Sequence, residues 1–124
     1  MTFLCLIHLD PARMAALPPA EVNELNRRHL DLNAELRATG HFVAAEALDA
    51  APSMRRVTPR AGRTTVVDGP FTETKELVAG FYLIEARDID EAAAIAARFP
   101  GAAHGYVDVW PTCRLVVDGI ERDA

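Results

Sequence analysis

Basic charge, long apolar runs and cysteine are scarce in this chain, and each shortage removes a class of function. Thirteen Lys and Arg stand against eighteen Asp and Glu, giving a net charge of −5 and an isoelectric point near 5.3. Phosphate recognition needs a basic patch, so nucleic acid is not expected as a partner. No apolar run approaches bilayer-spanning length, and no membrane partner is expected either. The opening "MTFLCLIHLDP" is apolar but lacks a basic flank, so it reads as a strand and not as a signal peptide. The two cysteines, Cys5 and Cys113, lie in strand-like runs with no metal-ligand spacing. They are expected as reduced, buried thiols of a cytoplasmic protein. The histidines, His8, His29, His41 and His104, are scattered, and no Cys-x-x-Cys occurs, so no metal site is expected. A Gly-rich phosphate loop, a nucleophile elbow and a dinucleotide fingerprint are all missing, and no cofactor is expected.

What is present is enough for one domain over residues 1–124. Half the residues are hydrophobic and a quarter charged, a globular composition with enough chain to bury a core. Residues 2–9 are apolar on both alternating sets, as are residues 77–86, which marks strands buried on two sides. "DPARMAALPP" reads as a connection, with Pro18 and Pro19 suited to the first turn of a helix. Over 19–39, Val22, Leu25, His29, Leu32 and Leu36 recur at spacings of three and four, one helix face, and Gly40 is placed to cap it. "HFVAAEAL" is a strand candidate, and "MRRVTPRAGRTTVV" holds one or two more around an Ala61-Gly62 turn. Asp88 and Glu91 form a capping box for a second helix, whose expected face is Ile89, Ala92, Ala93, Ala96 and Phe99. Pro100-Gly101 stops that helix. "GYVDVWPTCRLVV" reads as the last strand, with Pro111 marking a kink or an edge.

The resulting βαββαβ order with an extra hairpin fits a ferredoxin-like α+β sandwich. Two helices cover one side of such a sheet. The apolar sets on the other side of residues 2–9 and 77–86 still need a cover, and a second copy of the chain is the simplest one. A homodimer is therefore expected.

Residues 66–86, "VVDGPFTETKELVAGFYLIEA", gather Asp68, Glu73, Lys75 and Glu76 around Gly69 and Pro70, more charge than a hairpin turn requires. With Asp68-Gly69-Pro70-Phe71 at its head, this stretch resembles the signature of the DGPF-domain proteins, a branch of the YCII-related superfamily. The resemblance extends over the apolar first strand, the helix ending "ELRATG", "EAL", "DIDEAAAIAARFPGA" and the closing "VDVWP". In that last element Trp110 replaces a basic residue of the family pattern. The resemblance implies a dimeric ferredoxin-like α+β barrel, a bacterial setting and no agreed activity. The superfamily includes a dehalogenating enzyme of aromatic degradation, and DGPF genes often neighbour alternative sigma factors. It also aligns His29, preceded by Arg27 and Arg28 and followed by Leu30, with a first-helix histidine that is half of a His–Asp pair. Phe99 stands where the acidic half would be, so an acid would have to come from elsewhere, Asp68 or Asp108.

Each candidate also has a plain structural reading. His29 lies in an apolar stripe and suits a hydrogen-bonded core position; as an imidazole near its working pH it also suits acid–base work. His8, at the end of the first strand, is either solvent-facing or a pocket residue. Asp68, Gly69 and Pro70 make a sound turn, and Phe71 is expected to pin it to the core. The functional reading is a small-molecule pocket between the sheet, the first helix and the DGPF loop. His29 is then the base, Asp68 orients or protonates, and His8, Glu73, Lys75 and Tyr82 contact the ligand. One expected activity is cofactor-independent acid–base chemistry of a lyase, isomerase or dehalogenase kind. The other is a non-catalytic ligand-binding or regulatory accessory, tied by the resemblance to an alternative sigma factor.

Overall fold

The computed structural model describes residues 1–49, 53–69 and 76–122, with side chains omitted at 116, 117, 121 and 122. The order is β1 (Thr2–Leu9), α1 (Pro11–Ala15), α2 (Pro19–Ala38), β2 (Phe42–Ala47), β3 (Arg55–Arg60), β4 (Arg63–Asp68), β5 (Leu77–Glu85), α3 (Ile89–Ala96), a 3₁₀ turn (Pro100–His104), β6 (Gly105–Pro111), β7 (Leu115–Val117) and β8 (Ile120–Arg122). An antiparallel four-stranded sheet, ordered β2-β5-β1-β6, forms the centre; β3-β4 and β7-β8 are separate two-stranded ribbons. This is an α+β arrangement consistent with a ferredoxin-like fold.

Strand alternation places the core. Phe3, Cys5 and Ile7 of β1 and Tyr82 and Ile84 of β5 point to one side, where they meet Leu32 and Leu36 of α2 and Ala92, Ile95 and Ala96 of α3. The α2 stripe lies largely as expected, with Leu25, Leu32 and Leu36 buried. The α3 face differs from expectation: Ile89 and Ala93 are exposed and Ile95 is buried. At 100° per residue, Ala92, Ile95, Ala96 and Phe99 form the tighter stripe, and Ile89 and Ala93 fall on its flanks. The capping box forms: Asp88 Oδ1 accepts from the Glu91 amide at 2.8 Å, while Glu91 Oε1 accepts from the Arg87 amide at 3.1 Å, one residue outside the usual position.

Three further expectations change. Residues 11–15, read as a connection, form a short helix capped by Asp10, whose Oδ1 accepts from the Ala12 amide at 2.9 Å. The last strand stops at Pro111, which cannot donate to a ladder, and the chain resumes as β7 and β8. Cys113 falls in that break and is exposed, whereas Cys5 is buried and its thiol is pushed up to about 11 by burial. No helix among the described residues is long and apolar enough to cross a membrane.

The other face of the sheet carries Leu4, Leu6 and His8 of β1, Phe81 and Leu83 of β5, and Tyr106, Asp108 and Trp110 of β6. The pairs Leu4–Trp110, Leu6–Asp108 and His8–Tyr106 lie directly opposite one another. Trp110 is 59% exposed although it is the chain's one tryptophan. No helix among the described residues packs on this side.

Phe99 ties the halves of the core together. It is 2% exposed, and its ring stacks on Tyr82 at 4.1 Å between centroids. Phe99→Ala should cost ~3–5 kcal/mol by removing that ring and leaving a cavity. Urea unfolding reads this directly; a loss under about 1 kcal/mol would show that the site collapses around the gap.

Candidate functional site

A cavity of about 510 Å³ opens between α2 and the β2-β5-β1 part of the sheet. Ile7, Leu9, Leu25 and Leu30 supply apolar wall; His29, Asn33 and Tyr82 supply linked polar groups, and Asn26 and Glu46 also line the cavity. His29 and Asn33 are four apart on α2, so they stand one turn apart on one face. Tyr82 comes up from the central strand β5, its ring held in the core on Phe99 and edge-on to Phe42.

Hydrogen bonds link these three into a chain. His29 Nδ1 is 3.0 Å from the Tyr82 hydroxyl, and that hydroxyl donates to Asn33 Oδ1 at 2.5 Å. On the other side of the imidazole, the Gly101 amide donates to Nε2 at 3.1 Å. A backbone N–H can only donate, so Nε2 must be bare and the ring proton sits on Nδ1, donating to Tyr82. The ring is thus neutral and fixed in one tautomer. Its pKa is lowered, first by burial and then by the Arg28 charge. Burial alone pushes the Tyr82 phenol up to about 12, so it stays protonated and acts as a donor. Gly101 matters through its lack of a side chain: a Cβ there would meet His29 Nε2 at 3.2 Å.

Of the residues singled out in the sequence, the structure brings His29 and Tyr82 together at the cavity. Asp68 ends β4, 77% exposed, in an ion pair with Arg55 at 2.9 Å; it does not line the cavity and makes no bond to His29. His8 lies on the other face of the sheet, stacked on Tyr106 at 4.6 Å, with Nε2 3.1 Å from Asp108 Oδ2 but without an aligned hydrogen bond. Asp108 therefore is no partner of His29 either. Pro70, Phe71, Glu73 and Lys75 lie outside the described residues, so the Phe71 anchor and the two loop contacts stay as expectations. Two members of the site escaped the sequence reading. Asn33 carried a signal, its i+4 relation to His29; the Gly101 amide carried none, because only the fold brings the turn after α3 against α2.

A model of the YCII-related domain matches residues 1–114. The chain belongs to the YCII-related family. Over 36 residues, 29% of each chain, it is 58% identical to an uncharacterised protein of Rhizobium meliloti, so the match spans under a third of that relative's length. Its fold is similar to that of 5-chloro-2-hydroxyhydroquinone dehydrochlorinase from Burkholderia phenoliruptrix AC1100, solved in complex with 2,5-dihydroxybenzoquinone. The TM-score is 0.52 at 16% identity, covering 92% of this chain and 95% of that one. In this YCII-related chain, the tyrosine hydroxyl and a backbone amide flank the histidine, and Phe99 is packed beneath that tyrosine.

The lowered His29 pKa has a definite sign in stability. The unfolded chain binds a proton at about pH 6.5, the folded ring only at lower pH. The residue's stabilisation is complete above that unfolded value and falls as pH drops towards the folded one. Protonation would also set an Nε2–H against the Gly101 N–H. His29→Gln should therefore flatten the loss of melting temperature between pH 7.5 and 5. A slope equal to wild type would show that the ring protonates freely in the folded state.

Proposed function

We propose that this protein binds a compact, oxygen-bearing organic molecule in the α2–sheet cavity and stabilises negative charge developing on that oxygen. The observation that carries this is the His29–Tyr82–Asn33 chain, which sets a protonated phenol in the wall of a cavity lined largely by apolar residues. A ligand oxygen can replace Asn33 as the acceptor of the Tyr82 hydroxyl. Held fixed in the cavity wall, that donor favours an enolate or phenolate over its neutral form. His29 then works by holding Tyr82 in place through Nδ1–H. To act as the general base expected from the sequence it would first give up the Gly101 amide at Nε2. The chemistry this suits is cofactor-independent enol or phenol chemistry, of an isomerase or dehalogenase-like kind. The structural neighbour's complex makes hydroxylated quinones the first probes to try.

A second reading has its own support. Both ring nitrogens of His29 are occupied and no carboxylate bonds to it among the described residues, as suits a ligand-binding accessory that performs no turnover. The two part on whether a bound ligand is recovered unaltered.

The binding claim is tested by titrating a chromophoric phenol across its own pKa in the presence of the protein. The anionic form should bind at least tenfold more tightly than the neutral one, and Tyr82→Phe should remove most of that preference. Equal affinity for both forms, or an unchanged preference in Tyr82→Phe, would contradict it.

The bare face of the sheet supports pairing of two copies in a dimeric α+β barrel. Leu4, Leu6, Phe81 and Leu83 are half-buried there and Trp110 is largely exposed, an apolar patch of the kind that marks an interface. Light scattering at micromolar concentration should give twice the 13.5 kDa chain mass. A particle of the single-chain mass would end this part of the proposal.

A further inference from the structure

The ribbon β3-β4 has no evident reason to be stable where it stands. It is two strands joined by Ala61 and Gly62, both at positive φ (47° and 77°), the twist-matching geometry of a two-residue hairpin turn. Every residue from Arg55 to Asp68 except Thr58 is exposed. A two-stranded ribbon exposed on both faces is marginal in water at best. Its faces differ in chemistry. Directly paired residues share a side, so Val57, Val66 and Pro59 line one face beside the Arg55–Asp68 ion pair, with Val57 60% and Val66 54% exposed. Arg56, Arg60 and Arg63 line the other together with Val67, and none of the three arginines has a carboxylate partner among the described residues.

Charge indicates what covers it. Four arginines and one aspartate give residues 55–68 a net +3; the whole chain is at −5, so the remaining residues hold −8. A basic, apolar-backed ribbon is thus attached to a strongly acidic body. We propose that β3-β4 is an arm that docks on the acidic body of a second copy of this chain, its arginine face on the partner's carboxylates and the opposite, valine face closed against the arm's own body. This rests on the pairing proposed above, which would bring a second body alongside. A polyanion such as nucleic acid is a poorer fit, because the body at −8 repels it.

The test uses the full chain and measures the dimer dissociation constant by sedimentation at low and high salt. For wild type it should rise at least tenfold on going from about 50 to 500 mM salt, where surface charges are screened. R56E/R60E/R63E should weaken dimerisation at least tenfold with unchanged far-ultraviolet circular dichroism. The pair Val57→Thr and Val66→Thr keeps strand-compatible residues and should also weaken it at least tenfold, which guards against a charge variant that misfolds. A dimeric wild type whose constant moves less than twofold in both variants would overturn the arm and leave the pairing intact. A monomeric wild type would overturn both. Wild type retained on heparin, with R56E/R60E/R63E released and its dimer unchanged, would assign the arm to a polyanion and overturn the proposal.

Discussion

The site depends on Tyr82 belonging to two environments at once. Its ring lies in the core, 4% exposed and stacked on Phe99, while its hydroxyl stands at the cavity wall between His29 and Asn33. Fixing the ring fixes the hydroxyl. The hydroxyl in turn fixes the imidazole, whose far nitrogen is held by the Gly101 amide. A small apolar core and a polar binding wall are therefore mechanically one unit, and rotation of the Tyr82 side chain would disrupt both.

Much of this architecture was legible because it rests on periodicity. The three-and-four spacing of Leu25, His29, Leu32 and Leu36 puts His29 on the sheet-facing side of α2, and period-two alternation puts Tyr82 on the helix side of β5. The capping box at Asp88 and the turn at Ala61-Gly62 are local chemistry, and both form. Less legible was which polar groups would meet. Asp68 looked like a partner for His29 because the charged loop drew attention to it, yet β4 belongs to a separate ribbon and pairs Asp68 with Arg55. The Gly101 amide is a main-chain group with no residue-type signal. Cys113 looked buried because Leu115, Val116 and Val117 continue an apolar pattern, which Pro111 interrupts.

Net charge also concealed as much as it showed. An overall −5 argued against any basic surface, while four arginines were concentrated within nine residues of one ribbon. The bare sheet face and this ribbon raise the same physical problem from two sides, since each exposes apolar surface that a monomer leaves in water. Pairing of two copies through the sheet, with the ribbon reaching across, would resolve both and leave the α2–sheet cavity within each chain.

The central claim is that His29 is a neutral imidazole protonated on Nδ1, with Nε2 closed by a backbone donor. Long-range proton–nitrogen correlation spectra of the histidine rings at pH 7 test it most directly. The account predicts a protonated-type shift for Nδ1 and a bare, hydrogen-bonded shift for Nε2 of His29, both persisting to lower pH than in a free imidazole. A proton on Nε2, or a ring that becomes charged at as high a pH as a free imidazole, would contradict it.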